Sequence, residues 1–126
     1  MDKIIGYEKM NDAFKYFINS CIKFLDFLVQ DYSFLKTKPK FTPPECSIEY
    51  RKDNIIFDVL YEYGDFPWIR VTINGKDDSL DRIVKKNWPV YTIKRKKNIK
   101  DPNEKIDTVL QQYSNVLLEY ITSITT

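Results

Sequence analysis

The chain has 126 residues, of which 43% are hydrophobic, 30% charged and 15% aromatic, and its formal net charge is +2. This length predicts a single domain over 1–126, because a chain of this size buries enough surface for one core without metals or disulfides. The apolar fraction excludes wholesale disorder, and no apolar run approaches the roughly 18 residues that a membrane span needs.

The first predicted element is a long amphipathic helix over 11–33. Apolar residues recur there at three- and four-residue steps, which places them on one stripe, and Asn11 or Asp12 can cap the start. The helix is predicted either to be covered on two sides or to expose an aromatic surface, because three rings fall off that stripe. These rings belong to Tyr16, Phe24 and Phe27.

A proline-containing segment, 36–44, follows the helix and is predicted to be an extended connector, because proline removes donors and restricts its neighbours. The apolar period then changes from 3.6 to 2 over three segments that are separated by turns. These segments predict an antiparallel meander with strands at 46–51, 55–63 and 68–73.

The two faces of this predicted sheet differ in character. One face is apolar and aromatic and is expected to receive the helices. The other face is expected to face water, and its charged residues are Glu49, Asp58, Glu62 and Arg70.

The segment after the meander, 77–87, is predicted to be a short helix that Asp78 or Ser79 caps and Pro89 ends. Residues 90–93 are predicted to form either a fourth strand or an ordered arm.

The last predicted element is a second long helix. Asp101 is placed to cap it, Pro102 takes the first helical position and Glu104 the third, and helical apolar spacing continues to Ile124. The order of elements predicts an α+β fold, with an antiparallel three- to four-stranded meander covered on one face by long amino- and carboxyl-terminal helices.

The cysteine and histidine content argues against several chemistries. There is no histidine, which removes the commonest general base and metal ligand. Cys21 and Cys46 do not form a CxxC pair, so they predict no zinc site and no redox motif. A disulfide between them is an alternative, although Cys21 on an apolar helix face is typical of a buried thiol. No signal peptide is recognised, so a reducing cytoplasm is expected.

No motif for a nucleophile, a phosphate loop or a nucleotide site occurs, so the chain is predicted not to be an enzyme and to need no cofactor. An enzyme is the alternative that a deep pocket holding Asp58, Glu62 or Glu49 with perturbed acidity would favour.

Three aspartates invite a cation hypothesis, but they lack the spacing of a calcium loop, and the preference of a helix amino terminus for negative charge explains Asp77 and Asp78. No metal site is therefore predicted. The aspartates are Asp77, Asp78 and Asp81.

Charge is segregated along the chain. Residues 82–100 hold eight basic residues and no acid, whereas 53–81 holds seven acids against two basic residues. The basic run has three interpretations: a solvated surface, a contact for an acidic protein partner, or a nucleic-acid site. In the last, the lysines would track phosphates while Trp88 and Tyr91 stack on bases.

Aromatic residues beside turns either plug the edge of a core or anchor a protein interface. Phe66, Trp68 and Trp88 are of this kind, and with the basic run they predict a mixed-charge interface. The predicted partner-binding residues are Phe66, Trp68, Arg70, Trp88, Lys94, Arg95, Lys96 and Lys97.

The helix ending in 28–34, together with the strand residues 48–50 and 55–62, resembles small bacterial immunity proteins of polymorphic or contact-dependent toxin systems. The likeness spans 10–75 and carries over no site residues. It implies a cytoplasmic, non-catalytic protein that neutralises a cognate secreted toxin domain by binding it and occluding its active site. The alternative is a nucleic-acid-binding accessory protein that uses 82–100, and the oligomeric state stays open.

Overall fold

The structure is a computed structural model that describes the backbone of residues 2–125 and the side chains of residues 8–124. The helices are α1 (Asp2–Leu25), α2 (Phe27–Tyr32), α3 (Leu80–Asn87) and α4 (Pro102–Thr125), with a 3₁₀ turn at Pro89–Tyr91. The strands are β1 (Leu35–Lys36), β2 (Lys40–Thr42), β3 (Glu45–Lys52), β4 (Ile55–Glu62), β5 (Trp68–Ile73) and β6 (Lys76–Ser79).

The predicted α+β fold is confirmed, and its sheet is larger than the meander alone. β3, β4 and β5 are consecutive antiparallel neighbours, as the alternating pattern predicts. β6 extends the sheet beyond β5, while β1 and β2 both pair with β3 at the other edge. The segment predicted as a simple connector, 36–44, therefore supplies most of two short edge strands.

Of the two alternatives predicted for 90–93, the fourth strand does not form, because Pro89–Tyr91 is a 3₁₀ turn. The strand next to β5 is β6, which returns immediately after a two-residue turn. Asn74 and Gly75 in that turn both have positive φ, 53° and 78°, as a tight hairpin turn requires. The sequence Lys-Asp-Asp-Ser of β6 lacks apolar alternation, so its polar side chains concealed the strand.

The first helix begins earlier than the predicted start at residue 11. Asn11 and Asp12 lie within α1 and are exposed, so neither caps its start. The helix is interrupted at Asp26, whose carboxylate accepts hydrogen bonds from Tyr50 Oη at 3.1 Å and Lys36 Nζ at 3.0 Å. α2 ends at Ser33, which has a positive φ of 62°.

The predicted caps of the later helices are confirmed. Ser79 Oγ accepts from the backbone N–H of Arg82 at 3.1 Å, so Ser79 rather than Asp78 caps α3. At the start of α4, the backbone N–H of Asn103 donates to Asp101 Oδ1 at 3.2 Å.

The core lies between the helices and one face of the sheet. The rings of Phe17 on α1 and Tyr61 on β4 stack at 5.2 Å. α1 also packs against α4, where Tyr16 and Ser20 both donate to the carboxylate of Asp107. α1 is therefore covered on two sides, which explains why aromatic residues occupy more than one of its faces.

Cys21 and Cys46 are both buried and unpaired, so the disulfide alternative does not hold. Burial raises the pKa of Cys46 to about 11 and raises the pKa of Cys21 well above its usual value. Across the described helices, none combines the length and the apolarity that a bilayer crossing requires.

Candidate functional site

The face of the sheet turned away from the core is the principal accessible surface of the strands. Side chains on β3, β4 and β5 alternate, so the residues between the core positions all point to this side. Ile56, Leu60 and Trp68 accordingly lie outside the hydrophobic core and its partly buried margin. We call this surface the open face, and its residues are Leu35, Lys40, Thr42, Glu45, Ser47, Glu49, Arg51, Ile56, Asp58, Leu60, Glu62, Trp68, Arg70, Thr72, Asp77 and Ser79.

A row of charged residues crosses the middle of the open face. Glu49 lies opposite Asp58, which in turn lies opposite Arg70. Nη2 of Arg70 donates to Oδ2 of Asp58 at 2.7 Å, and Arg51 pairs with Glu49 at 2.6 Å. The two carboxylates therefore have separate cationic partners.

Asp58 is more deeply buried than the sequence predicts for a residue on the water-facing side. It is only 6% exposed, and its Oδ1 has no hydrogen-bond partner among the described residues. Burial raises the pKa of its carboxyl, and the adjacent charge of Glu49 raises it further, although Arg70 acts in the opposite direction. Asp58 thus lies on the face of the sheet that was expected to face water, but its side chain is buried there.

Apolar side chains lie in the rows on both sides of this charged row. Leu35 is 76% exposed and Trp68 is 42% exposed, while Ile56 and Leu60 are half-buried. Beside Trp68 lies a pocket of about 250 Å³. It is lined by Glu45, Leu60, Tyr61, Glu62, Trp68 and Arg70.

The enzyme alternative requires a pocket and a perturbed carboxylate in one place. The pKa of Asp58 is raised, but neither Asp58 nor Glu49 lines the pocket beside Trp68, where Glu62 is exposed. The structure therefore does not bring these three carboxylates together around that pocket.

The predicted aromatic anchors separate into one surface residue and two residues that hold the fold together. Trp68 lies on the open face, next to Arg70 on the same side of β5. Phe66 is half-buried beneath Lys105, whose Nζ lies 5.3 Å from the ring centroid. Trp88 packs edge-on against Tyr120 at 5.8 Å. Phe66 and Trp88 thus match the interpretation of plugs at the edge of the core.

Arg95 is separated in role from the lysines beside it. Its guanidinium donates to Tyr113 Oη at 2.7 Å and to the carbonyl of Pro67 at 3.2 Å, and it pairs with Asp81. Tyr113 also donates to Asp81. Arg95 therefore ties the loop before α4 to α3, α4 and the residue before β5, whereas Lys94, Lys96 and Lys97 beside it are exposed.

The remaining basic residues of 82–100 are exposed, and they lie on α3 and in the loop before α4 rather than on the strands. The backbone of Lys94 exchanges hydrogen bonds with Gln112 of α4, which fixes the segment against that helix. We call this the basic surface, and its exposed residues are Arg82, Lys85, Lys86, Lys94, Lys96, Lys97 and Lys100.

The three aspartates of the cation hypothesis have three different environments. Oδ1 of Asp77 accepts a hydrogen bond from Oγ1 of Thr72 at 2.6 Å. Oδ1 of Asp78 lies 3.6 Å from Nε of Arg82, and Asp81 forms an ion pair with Arg95. Within the described part of the chain, no three acidic, cysteine or histidine side chains are grouped to hold a metal ion.

Sequence reasoning did not single out Leu35, Ile56 or Leu60 as surface residues. The sequence did indicate Ile56 and Leu60, because β4 has apolar residues at both the odd-numbered and the even-numbered positions. A strand that is apolar on both faces has a second surface to cover.

Comparison of this chain with family models, with curated proteins and with solved structures found no significant match.

Proposed function

We propose that this chain is a non-enzymatic protein-binding module, and that it binds its partner through the open face. The observation that carries the proposal is a fixed ion pair with apolar side chains in the rows on both sides of it, which are Leu35 and Ile56 in one row and Leu60 and Trp68 in the other. Such a combination of an aromatic anchor and charged centre is typical of protein interfaces.

We further propose that the module is of the immunity type, a protein that neutralises a cognate secreted toxin by occluding its active site. A preformed sheet supports this mechanism because its rigid backbone loses little entropy on binding. The proposed location is the cytoplasm, which two buried and unpaired thiols favour because disulfides are rare in reducing compartments.

Affinity capture from an extract of the source organism tests the proposal. The tagged chain should retain one protein in a stoichiometric complex, and Trp68→Asp should abolish the complex because it places an unpaired charge among apolar contacts. Lys97→Asp is the matched control, since it introduces the same side chain on the basic surface.

Loss of the complex in the Lys97→Asp control but not in Trp68→Asp would overturn the open face as the binding site. The immunity mechanism is tested separately by expressing the retained partner in a bacterial host. The partner should arrest growth, and co-expression of the chain should restore it. Growth arrest that the chain fails to relieve would contradict the immunity mechanism.

A nucleic-acid-binding accessory protein is the second candidate, and the seven exposed basic residues of 82–100 favour it. Tyr91, which is 39% exposed, is available there for stacking on a base. A gel-shift titration at several salt concentrations tests this function. Binding to DNA or RNA that weakens steeply with salt, and that Lys96→Glu with Lys97→Glu removes, would support it.

A further inference from the structure

The open face has the opposite charge from the chain as a whole. It carries five acidic residues and three basic ones, whereas the whole chain has a net charge of +2. The acidic residues are Glu45, Glu49, Asp58, Glu62 and Asp77, and the basic residues are Lys40, Arg51 and Arg70.

The centre of this acidic surface has an unfilled hydrogen-bonding capacity. Asp58 is only 6% exposed, Arg70 occupies its Oδ2, and its Oδ1 has no partner among the described residues. Because Oδ1 is buried as well as unpartnered, a second cation cannot contact it directly, but the negative charge of Asp58 would stabilise a cation that Glu49 holds beside it.

The surroundings of Asp58 favour a protein side chain over a metal ion as that cation. No metal-binding group of three ligating side chains occurs within the described residues. Nucleic acid is disfavoured because its phosphates would meet a surface of the same sign. The apolar flanks of Leu60 and Trp68 instead fit the stem of a long side chain and the protein surface around it.

We propose that the partner presents a basic surface to the open face, and that an arginine side chain of that surface docks on Glu49, beside Asp58. The planar guanidinium supplies several donors in a fixed fork, so it can pair with Glu49, whose Oε2 takes both contacts with Arg51, while it lies close to Asp58. This inference rests on the proposed function and specifies the chemistry of its partner.

Chemical-shift mapping with a hexa-arginine peptide tests the inference on the full chain. The peptide should shift the amide signals around Glu49, Asp58 and Arg70 and the indole signal of Trp68. A hexa-glutamate peptide should instead shift signals of the basic surface. Shifts spread over all acidic residues, or the same shifts with Mg²⁺ alone, would overturn an arginine site.

Two substitutions make the test specific. Asp58→Asn and Glu49→Gln should each weaken hexa-arginine binding about three- to tenfold, because the first removes a neighbouring negative charge and the second removes the charge-assisted contact. The matched control is Asp53→Asn, which removes a charge at the exposed β3–β4 turn and should leave binding unchanged. Equal binding by all three variants would overturn the inference.

The remaining outcomes separate this inference from the function on which it rests. If the free chain self-associates and its open-face signals shift with its own concentration, the occupant is a second copy and the inference is wrong. If affinity capture yields no partner protein, the proposed function fails even when hexa-arginine binds. If a partner is captured but hexa-arginine maps elsewhere, only the inference fails.

Discussion

Asp58 and Arg70 lie directly opposite each other on β4 and β5, and Nη2 of Arg70 donates to Oδ2 of Asp58 at 2.7 Å. An arginine partner normally lowers the pKa of a carboxyl group, yet the pKa of Asp58 is raised because burial outweighs the pairing. The pair therefore fixes the geometry of the open face, although the cost of desolvating Asp58 exceeds what its pairing with Arg70 contributes.

The stability of Asp58→Asn should depend on pH. Because the folded-state pKa of Asp58 is raised above its ordinary value of 3.8, the stability that this group contributes is present below 3.8 and is lost as pH rises through the folded pKa. The neutral amide avoids this loss, so the variant should have the higher free energy of unfolding at pH 7. Urea unfolding at pH 7 and at about pH 3 measures the difference, which should disappear at the lower pH. If Asp58→Asn had a lower free energy of unfolding than the wild type at pH 7 but an equal one at about pH 3, the stated effect of burial on Asp58 would be wrong.

Truncation of Trp88 should mainly lower the stability of the chain, whereas truncation of Trp68 should mainly weaken partner binding. Trp88→Ala should lower the free energy of unfolding by about 2–3 kcal/mol, because it removes the ring that packs on Tyr120. Trp68→Ala should lower it by no more than about 1 kcal/mol but should abolish partner binding. Chemical denaturation and capture of the partner measure the two effects, and a large loss of stability in Trp68→Ala would refute the assignment.

Within the basic run, substitution of Arg95 should lower the stability of the chain, whereas substitution of Lys97 should not. Arg95→Lys should cost about 2 kcal/mol, because lysine cannot reach Asp81, Tyr113 and the carbonyl of Pro67 together. Lys97→Ala should change stability by less than about 0.5 kcal/mol. Thermal unfolding of both variants measures this contrast, and equal melting temperatures would show that the Arg95 contacts contribute nothing.

Both thiols should resist modification in the folded chain. Cys21 is fully buried and Cys46 is 1% exposed, and the raised pKa of each keeps the reactive thiolate scarce at neutral pH. A colorimetric thiol reagent should therefore find no reactive cysteine in buffer and both cysteines in denaturant. Rapid reaction of either thiol with the native chain would contradict the packing of α1 on β3.

The central architecture was predictable from sequence because local patterns determine it. Period-two alternation located β3, β4 and β5, and the Asp101–Pro102 pair located the start of α4. The strand β6 was not predictable, since an edge strand of four polar residues carries no apolar pattern and depends on its hairpin turn and on pairing with β5.

The candidate site was predictable only in part, for a different physical reason. Trp68 and Arg70 could be selected because an aromatic residue beside a turn and a charged strand position are visible in the sequence. The roles of Arg95 and Trp88 depend on contacts with Tyr113 and Tyr120, which are distant in the chain and reach them only in the fold.

The central claim is that the chain binds one protein through its open face, and lysine cross-linking of the isolated complex tests it most directly. Lys40 lies on the open face, whereas Lys85, Lys86, Lys96 and Lys97 lie on the basic surface. We predict a 1:1 complex in which Lys40 is cross-linked to the partner and the lysines of the basic surface are not. Cross-links confined to the basic surface would contradict the claim.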